Sequence, residues 1–94
     1  MEVLVTPRAA QKFEALVAFI THKWGEKAAS AFIQNMDAAF SQLQSYPLLG
    51  AIEHLDIRGL QVSAQTRIFY RIRNNKIIII SFFDVKQHPK KRLG

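Results

Sequence analysis

Three arginines alternate along one short segment of the chain, where together they could bind an anion. In TRIFYRIR, residues 66–73, the positions of Arg67, Arg71 and Arg73 differ by even numbers. Side chains two residues apart point to the same face of a strand, so one face is predicted to carry three guanidinium groups. Guanidinium groups hold carboxylates and phosphates well. The arginines are therefore placed to meet an anion or the carboxylates of a partner.

Other chemistry is restricted by what the sequence lacks. There is no cysteine among the 94 residues, which excludes disulfides, thiolate metal sites and cysteine nucleophiles. His22 and His54 have no evident partner in the sequence, and we interpret both as surface residues. The sequence indicates no metal site and no cofactor.

Length and charge describe a small basic domain. We expect residues 1–94 to form a single domain, because a chain of this length supports only one core. The formal net charge is +6, and nine of the thirteen Lys and Arg residues lie from Arg58 onward. A positive field in the C-terminal half favours anionic partners such as nucleic acid, ribosomes or an acidic protein segment. The N-terminus does not resemble a signal peptide and no apolar run could span a bilayer, so we expect a cytoplasmic protein.

The first half of the chain predicts a strand followed by two helices. Glu2 to Val5 is a short strand candidate, and Thr6-Pro7 offers an N-cap hydroxyl followed by a proline at the first helical position. A second helix is predicted from Glu26 to near Tyr46-Pro47, after a break at Gly25. The apolar stripes predicted for the two helices are Ala10, Phe13, Val17, Ile20 and Trp24, then Ala29, Phe32, Ile33, Met36, Phe40 and Leu43.

The second half predicts strands. Apolar and polar residues alternate weakly in HLDIRGLQVSAQ and strongly in TRIFYRIR. The run from Lys76 to Phe83 is apolar on both faces. Asn74-Asn75 suits a two-residue hairpin turn, because asparagine tolerates positive φ. The fold class predicted is α+β with the order β-α-α-β-β-β: an N-terminal strand and an antiparallel helical hairpin packed on one face of a small, mainly antiparallel sheet.

The turn at Asn74-Asn75 also predicts which side chains share a face. A regular hairpin places Arg73 opposite Lys76, Arg71 opposite Ile78, Phe69 opposite Ile80 and Arg67 opposite Phe82. The helices are expected on the other face, over Ile68, Tyr70, Ile72, Ile77 and Ile79. The partner-binding or anion-binding face would then consist of Arg67, Phe69, Arg71, Ile78, Ile80 and Phe82.

An exposed mixture of cations and large apolar groups usually marks a partner surface. The alternative is that the loop Pro47–Ile52 or the C-terminal tail folds over this face.

The order of motifs resembles the RelE/ParE superfamily of toxins from bacterial type II toxin–antitoxin systems, also called plasmid stabilisation proteins. The resemblance rests on TPRAAQKF, WGEKAASAFIQNM, YPLLG, IRGL, RIFYRI and FFDVKQHPKK, and it spans almost the whole chain. It implies a cognate antitoxin whose disordered segment folds on binding. It also implies one of two targets, the ribosome with its mRNA for RelE-like nucleases or DNA gyrase for ParE-like inhibitors.

Compared with the RelE nuclease pattern, Arg67 matches an expected arginine and most other positions do not. LQVSAQ lacks the lysine pair, Gln87 stands at the arginine of the tail, and Leu93 stands near the C-terminal tyrosine. Lys86 or His88 would have to substitute, so the nuclease candidates are Arg67, Lys86 and His88. His88 could act as a neutral base, but no nearby carboxylate orients its ring, and we favour a solvent-facing residue.

Three hypotheses follow from the resemblance. The favoured one is a ParE-like growth inhibitor that acts on gyrase and is not an enzyme. The second is a RelE-like, metal-independent endoribonuclease with a substituted active site. The third is a non-toxic binding module that acts only in a complex with its antitoxin.

Overall fold

The computed structural model describes residues 1–84, which contain two helices and five strands. Their bounds in chain order are β1 Glu2–Val5, α1 Pro7–Trp24, α2 Glu26–Ser45, β2 Ala51–His54, β3 Ile57–Gln61, β4 Thr66–Arg73 and β5 Lys76–Asp84. This arrangement confirms the predicted α+β fold class. It adds one short strand, β2, which the sequence did not reveal because AIEH has no clear alternation.

Local chemistry at the helix ends matches the sequence signals. The Thr6 hydroxyl accepts a hydrogen bond from the backbone N–H of Ala9 at 3.1 Å, and Pro7 occupies the first turn of α1. Gly25, at φ 96°, separates α1 from α2, a backbone conformation that glycine adopts without strain. The two helices form the predicted antiparallel hairpin.

The strands form one mixed sheet in the order β1-β5-β4-β3-β2. β1 is parallel to β5, and the other neighbours are antiparallel. Asn74 and Asn75 connect β4 to β5 with φ values of 53° and 61°, which confirms the predicted two-residue turn.

The helical hairpin covers one face of this sheet. Ile68, Tyr70, Ile77 and Ile79 are completely buried on it, and Ile72 packs at the margin, as predicted. The helical stripes differ slightly from the prediction. The helix residues that are buried are Ala9, Leu16 and Ile20 of α1 with Ala29, Phe32, Met36, Ala39 and Leu43 of α2. The predicted stripe residues Trp24 and Ile33 are exposed instead.

A bulge in β5 corrects the predicted register. Tyr70 pairs with Ile79 but Phe69 pairs with Ser81, so Ile80 is an extra residue between them. Beyond the bulge, Phe83 lies opposite Arg67 and Phe82 lies opposite Ile68. The assignment of Phe82 to the arginine face was therefore wrong, because the extra residue shifts every later side chain by one position.

Phe82 belongs to the core between the sheet and the helices. It is 1% exposed, and its ring lies 5.4 Å from that of Phe13 and 6.4 Å from that of Phe40, between centroids. Isoleucine occupies four consecutive positions, 77–80, and the last of them is the bulged residue, so no hydrophobic alternation in the sequence could mark the bulge.

Candidate functional site

The arginine face is the side of the sheet opposite the helices. Its centre is formed by Arg67, Phe69, Arg71 and Arg73 of β4, whose side chains are partly or fully exposed while the intervening residues are buried or half-buried. The Arg67 guanidinium carbon lies 5.2 Å from the centroid of the Phe69 ring, a cation–π geometry. The predicted sharing of one face by these residues is confirmed, whereas a binding role for them stays a prediction.

The carboxylate of Glu53, in the edge strand β2, is bound by the guanidinium group of Arg67. Arg67 Nη1 donates to Glu53 Oε1 at 3.0 Å, and Arg67 Nη2 pairs with Glu53 Oε2. This two-point arrangement is the one that guanidinium groups use to recognise carboxylates and phosphates. Glu53 therefore pairs with both terminal nitrogens of Arg67.

A second carboxylate is shared by the other two arginines. Arg73 donates to Asp56 Oδ2 from Nε at 3.0 Å and from Nη2 at 2.7 Å. Arg71 Nη2 lies 3.5 Å from Asp56 Oδ1, which is the longest of these contacts. The Nε atom of Arg71 is buried and makes no hydrogen bond within residues 1–84. Arg71 is thus the least completely paired cation of the three.

The ion pairs change the proton affinities of their members in the expected directions. The hydrogen bond from Arg67 lowers the pKa of the Glu53 carboxyl, and the same bond raises the pKa of Arg67. The hydrogen bond from Arg73 lowers the pKa of Asp56, with smaller contributions from the charges of Arg71 and Arg73. Both carboxylates are therefore ionised at neutral pH and remain paired with the arginines.

Gly59 lies directly beneath the Arg67–Glu53 ion pair. In β3 it lies between its ladder partners Ala51 of β2 and Phe69 of β4. A Cβ atom built on Gly59 would overlap the Glu53 carboxylate and would lie 2.7 Å from Arg67 Nη2. The glycine of IRGL therefore allows the ion pair to lie directly on the backbone of the sheet.

Two other motif residues hold the turn before β2. The Tyr70 hydroxyl donates to the Pro47 carbonyl at 2.7 Å and accepts from the Gly50 N–H at 2.8 Å. Arg58 Nη1 donates to the Gly50 carbonyl at 2.7 Å, rather than pairing with Asp56 or Glu53. The parts of YPLLG, IRGL and RIFYRI that meet here are structural, because they fix the start of the strand that carries Glu53.

Of the remaining described candidates, Ile78 adjoins the arginine centre and Ile80 does not. Ile78 lies opposite Arg71 in the β4–β5 ladder. Ile80 lines a hollow of about 570 Å³ at the N-terminal end of α1, with Arg8, Gln11, Lys12 and Ser81. Lys86 and His88 lie outside the described residues. The structure therefore does not bring the nuclease candidates together within the part of the chain that it describes.

Sequence reasoning missed Glu53 and Asp56 as the partners of the arginines. They are the only acidic residues between Asp37 and Asp84. Two acids alone in a basic region suggest partners for the arginines. To place them on the arginine face, one must know that β2 pairs with β3, and β2 could not be recognised from its sequence.

A second surface of interest is an apolar groove between the helices. It encloses about 320 Å³, and Phe13, Met36, Phe40 and Phe82 contribute to its lining. Ile33 also lines the groove and is 37% exposed.

Among residues 1–84, no helix has the length and hydrophobicity of a membrane span. The same residues contain no cluster of three His, Asp or Glu side chains that could hold a metal ion.

Comparison with known proteins identifies the family. The family model for the ParE toxin of the type II toxin–antitoxin system parDE matches residues 3–89. A solved chain from the chromosomal ParDE system of Pseudomonas aeruginosa is 20% identical with a TM-score of 0.77, and the match covers 89% of this chain and 95% of that chain.

More distant structures share the fold. A chain of the RelBE2 toxin–antitoxin complex from Mycobacterium tuberculosis is 19% identical with a TM-score of 0.59, covering 88% of this chain and 95% of that one. A YoeB/ParE toxin from Agrobacterium tumefaciens is 12% identical with a TM-score of 0.66, covering 89% and 98%. No curated protein sequence matches the chain. Because the family match spans nearly the whole sequence, the chain belongs to the ParE toxin family of type II toxin–antitoxin systems, within the RelE/ParE superfamily.

Proposed function

We propose that this protein is a ParE-like growth inhibitor that acts in the cytoplasm on DNA gyrase without cleaving RNA. The observation that carries the proposal is the state of Arg67, which is the only nuclease candidate among the described residues. Both terminal nitrogens of its guanidinium are paired with Glu53.

A ribonuclease of the RelE type needs cations that are directed at the scissile phosphate. In this chain both terminal nitrogens of Arg67 are directed at Glu53, so a phosphate would have to compete with that carboxylate. The neighbouring segment LQVSAQ supplies no lysine that could compensate. The arrangement is better suited to maintaining a protein surface than to stabilising charge in a transition state.

The same proposal includes a cognate antitoxin. The groove between α1 and α2 and the arginine face both combine apolar groups with charges. A disordered antitoxin segment that folds on binding could cover a large part of either surface. The solved relatives include toxin–antitoxin complexes, which supports an antitoxin as partner.

The test measures DNA supercoiling by purified gyrase with increasing amounts of this protein, and mRNA cleavage on translating ribosomes in parallel. We expect inhibited supercoiling with accumulated cleaved DNA, and intact mRNA. Arg67→Ala and His88→Ala should each retain toxicity, with Arg8→Ala as a charge-matched control for the arginine change.

The opposite result is equally specific. Unaffected gyrase with cuts phased to codons, and loss of toxicity in Arg67→Ala and His88→Ala but not in Arg8→Ala, would establish the RelE-like alternative. Inactivity in both assays, with antitoxin binding retained, would favour a non-toxic binding module.

A further inference from the structure

The two carboxylates on the arginine face come from a single short element. Glu53 lies at the end of β2 and Asp56 lies in the turn before β3, three residues further along the chain. Together they occupy all three arginines of β4. We propose that Glu53 and Asp56 are a displaceable internal cover on a binding site for an acidic peptide, formed by Arg67, Arg71 and Arg73.

The positions of the two carboxylates of the cover indicate which ligand the site would bind. One carboxylate lies in the fork of Arg67 and the other lies between Arg71 and Arg73, so the site is arranged for two carboxylates about three residues apart. Phe69 lies under the Arg67 guanidinium, and Ile78 lies beside Arg71 in the ladder. These apolar groups favour a peptide with acidic and apolar side chains over a nucleic-acid backbone, which presents regularly spaced phosphates.

The hairpin that carries the cover lies at the edge of the sheet. All four residues of β2 are exposed, and the strand pairs only with β3. Glu53 lies where the β2–β3 register shifts, between the paired residues Ile52 and His54. The backbone of Glu53 is therefore outside the paired positions of the β2–β3 ladder. Both carboxylates are more than one-third exposed, at 36% and 41%, and exposed ion pairs contribute little to stability.

The arginines also retain unused binding capacity while covered. Three cations face two carboxylates, and Arg71 contacts Asp56 only through Nη2, at 3.5 Å, the longest contact of the group. Arg71 would therefore make the first additional contact with an incoming carboxylate. The exchange then continues as the ligand replaces Asp56 and Glu53 in turn.

The experiment compares two variants that change the net charge equally. Glu53→Gln/Asp56→Asn removes the negative charge of the cover, whereas Glu14→Gln/Asp37→Asn removes two acids that line the helical groove. The probe is a labelled synthetic peptide with two acidic residues three positions apart and apolar residues between them. Its affinity for the full-length protein is measured by fluorescence anisotropy at low salt.

We expect the cover variant to bind the peptide about tenfold more tightly than wild type, since two carboxylates no longer compete for the arginines. The groove variant should change by no more than about twofold. Adding Arg71→Gln to the cover variant should remove most of the gain. Because binding is measured rather than toxicity, the result does not depend on gyrase being the target.

Equal gains in the two double variants would overturn the proposal, because net charge alone would explain them. A larger gain for a single-stranded oligonucleotide than for the peptide would overturn the assignment of the ligand. Circular dichroism and thermal unfolding check the fold of each variant. If the cover variant does not fold, Glu53→Gln alone should still tighten peptide binding about threefold, and no change would again overturn the proposal.

Discussion

Two glycines near the arginine face have opposite structural roles, although each would clash with an added methyl group. At Gly59 the clash is with the Glu53 carboxylate and the Arg67 guanidinium, which are the ends of flexible side chains. At Gly50 a Cβ atom would lie 2.8 Å from the buried ring of Tyr70 and 2.9 Å from the Gly59 carbonyl. Neither ring nor backbone can move away without disturbing the core.

We therefore expect Gly59→Ala to change the free energy of unfolding by no more than about 0.5 kcal/mol, while Gly50→Ala lowers it by about 1–3 kcal/mol. Gly59→Ala should also separate Arg67 from Glu53. The pKa of Glu53, followed by NMR titration, should rise toward its ordinary value. An unchanged Glu53 pKa in Gly59→Ala, or equal destabilisation by the two substitutions, would contradict this account.

At the scale of elements, the bulge in β5 can be tested directly by deleting a residue. Ile80 is one residue in excess between the pairs Tyr70–Ile79 and Phe69–Ser81. Its deletion leaves a regular ladder in which Phe82 still lies opposite Ile68, so the core face is preserved. Deletion of Ile78 instead moves Ile77 or Ile79 off the core face.

Urea unfolding of the two deletion variants measures this difference. We expect the variant lacking Ile80 to fold with a loss of at most about 2 kcal/mol, and the variant lacking Ile78 to lose more than about 3 kcal/mol or to remain unfolded. Comparable losses in both variants would mean that the bulge itself, rather than the order of inward-facing residues, maintains the fold.

The same two elements show how far the sequence could predict the structure. Thr6-Pro7, Gly25 and Asn74-Asn75 are local signals, because each depends on the backbone preferences of one or two residues, and each was identified correctly. The bulge at Ile80 and the strand β2 depend on pairing between distant segments. Their sequences, IIIIS and AIEH, contain no alternation that could indicate that pairing, so Phe82 and Glu53 were misplaced or missed.

At the scale of the whole molecule, most of the net positive charge belongs to the last ten residues of the sequence. Residues 1–84 contain nine basic and seven acidic side chains, which leaves +2, and residues 85–94 add four basic side chains and no acid, which supplies the remaining +4. On the arginine face, Glu53 and Asp56 offset two of three cations. The C-terminal sequence should therefore dominate non-specific attraction to polyanions.

Two triple variants with the same change in net charge separate these contributions. Lys90→Gln/Lys91→Gln/Arg92→Gln removes three cations that have no acidic residue near them in sequence, whereas Arg67→Gln/Arg71→Gln/Arg73→Gln removes three that are largely compensated. Binding to single-stranded DNA is measured over a range of salt concentrations, since the slope of log K against log salt counts the phosphates that are neutralised. The first variant should reduce that slope by about 2, because each lost contact removes about 0.7. The second should reduce it by less than about 1, as its cations are already paired with carboxylates that would compete with phosphate. An equal reduction in both variants would show that the carboxylates of the hairpin do not shield the arginines, and the attraction to polyanions would then follow total charge alone.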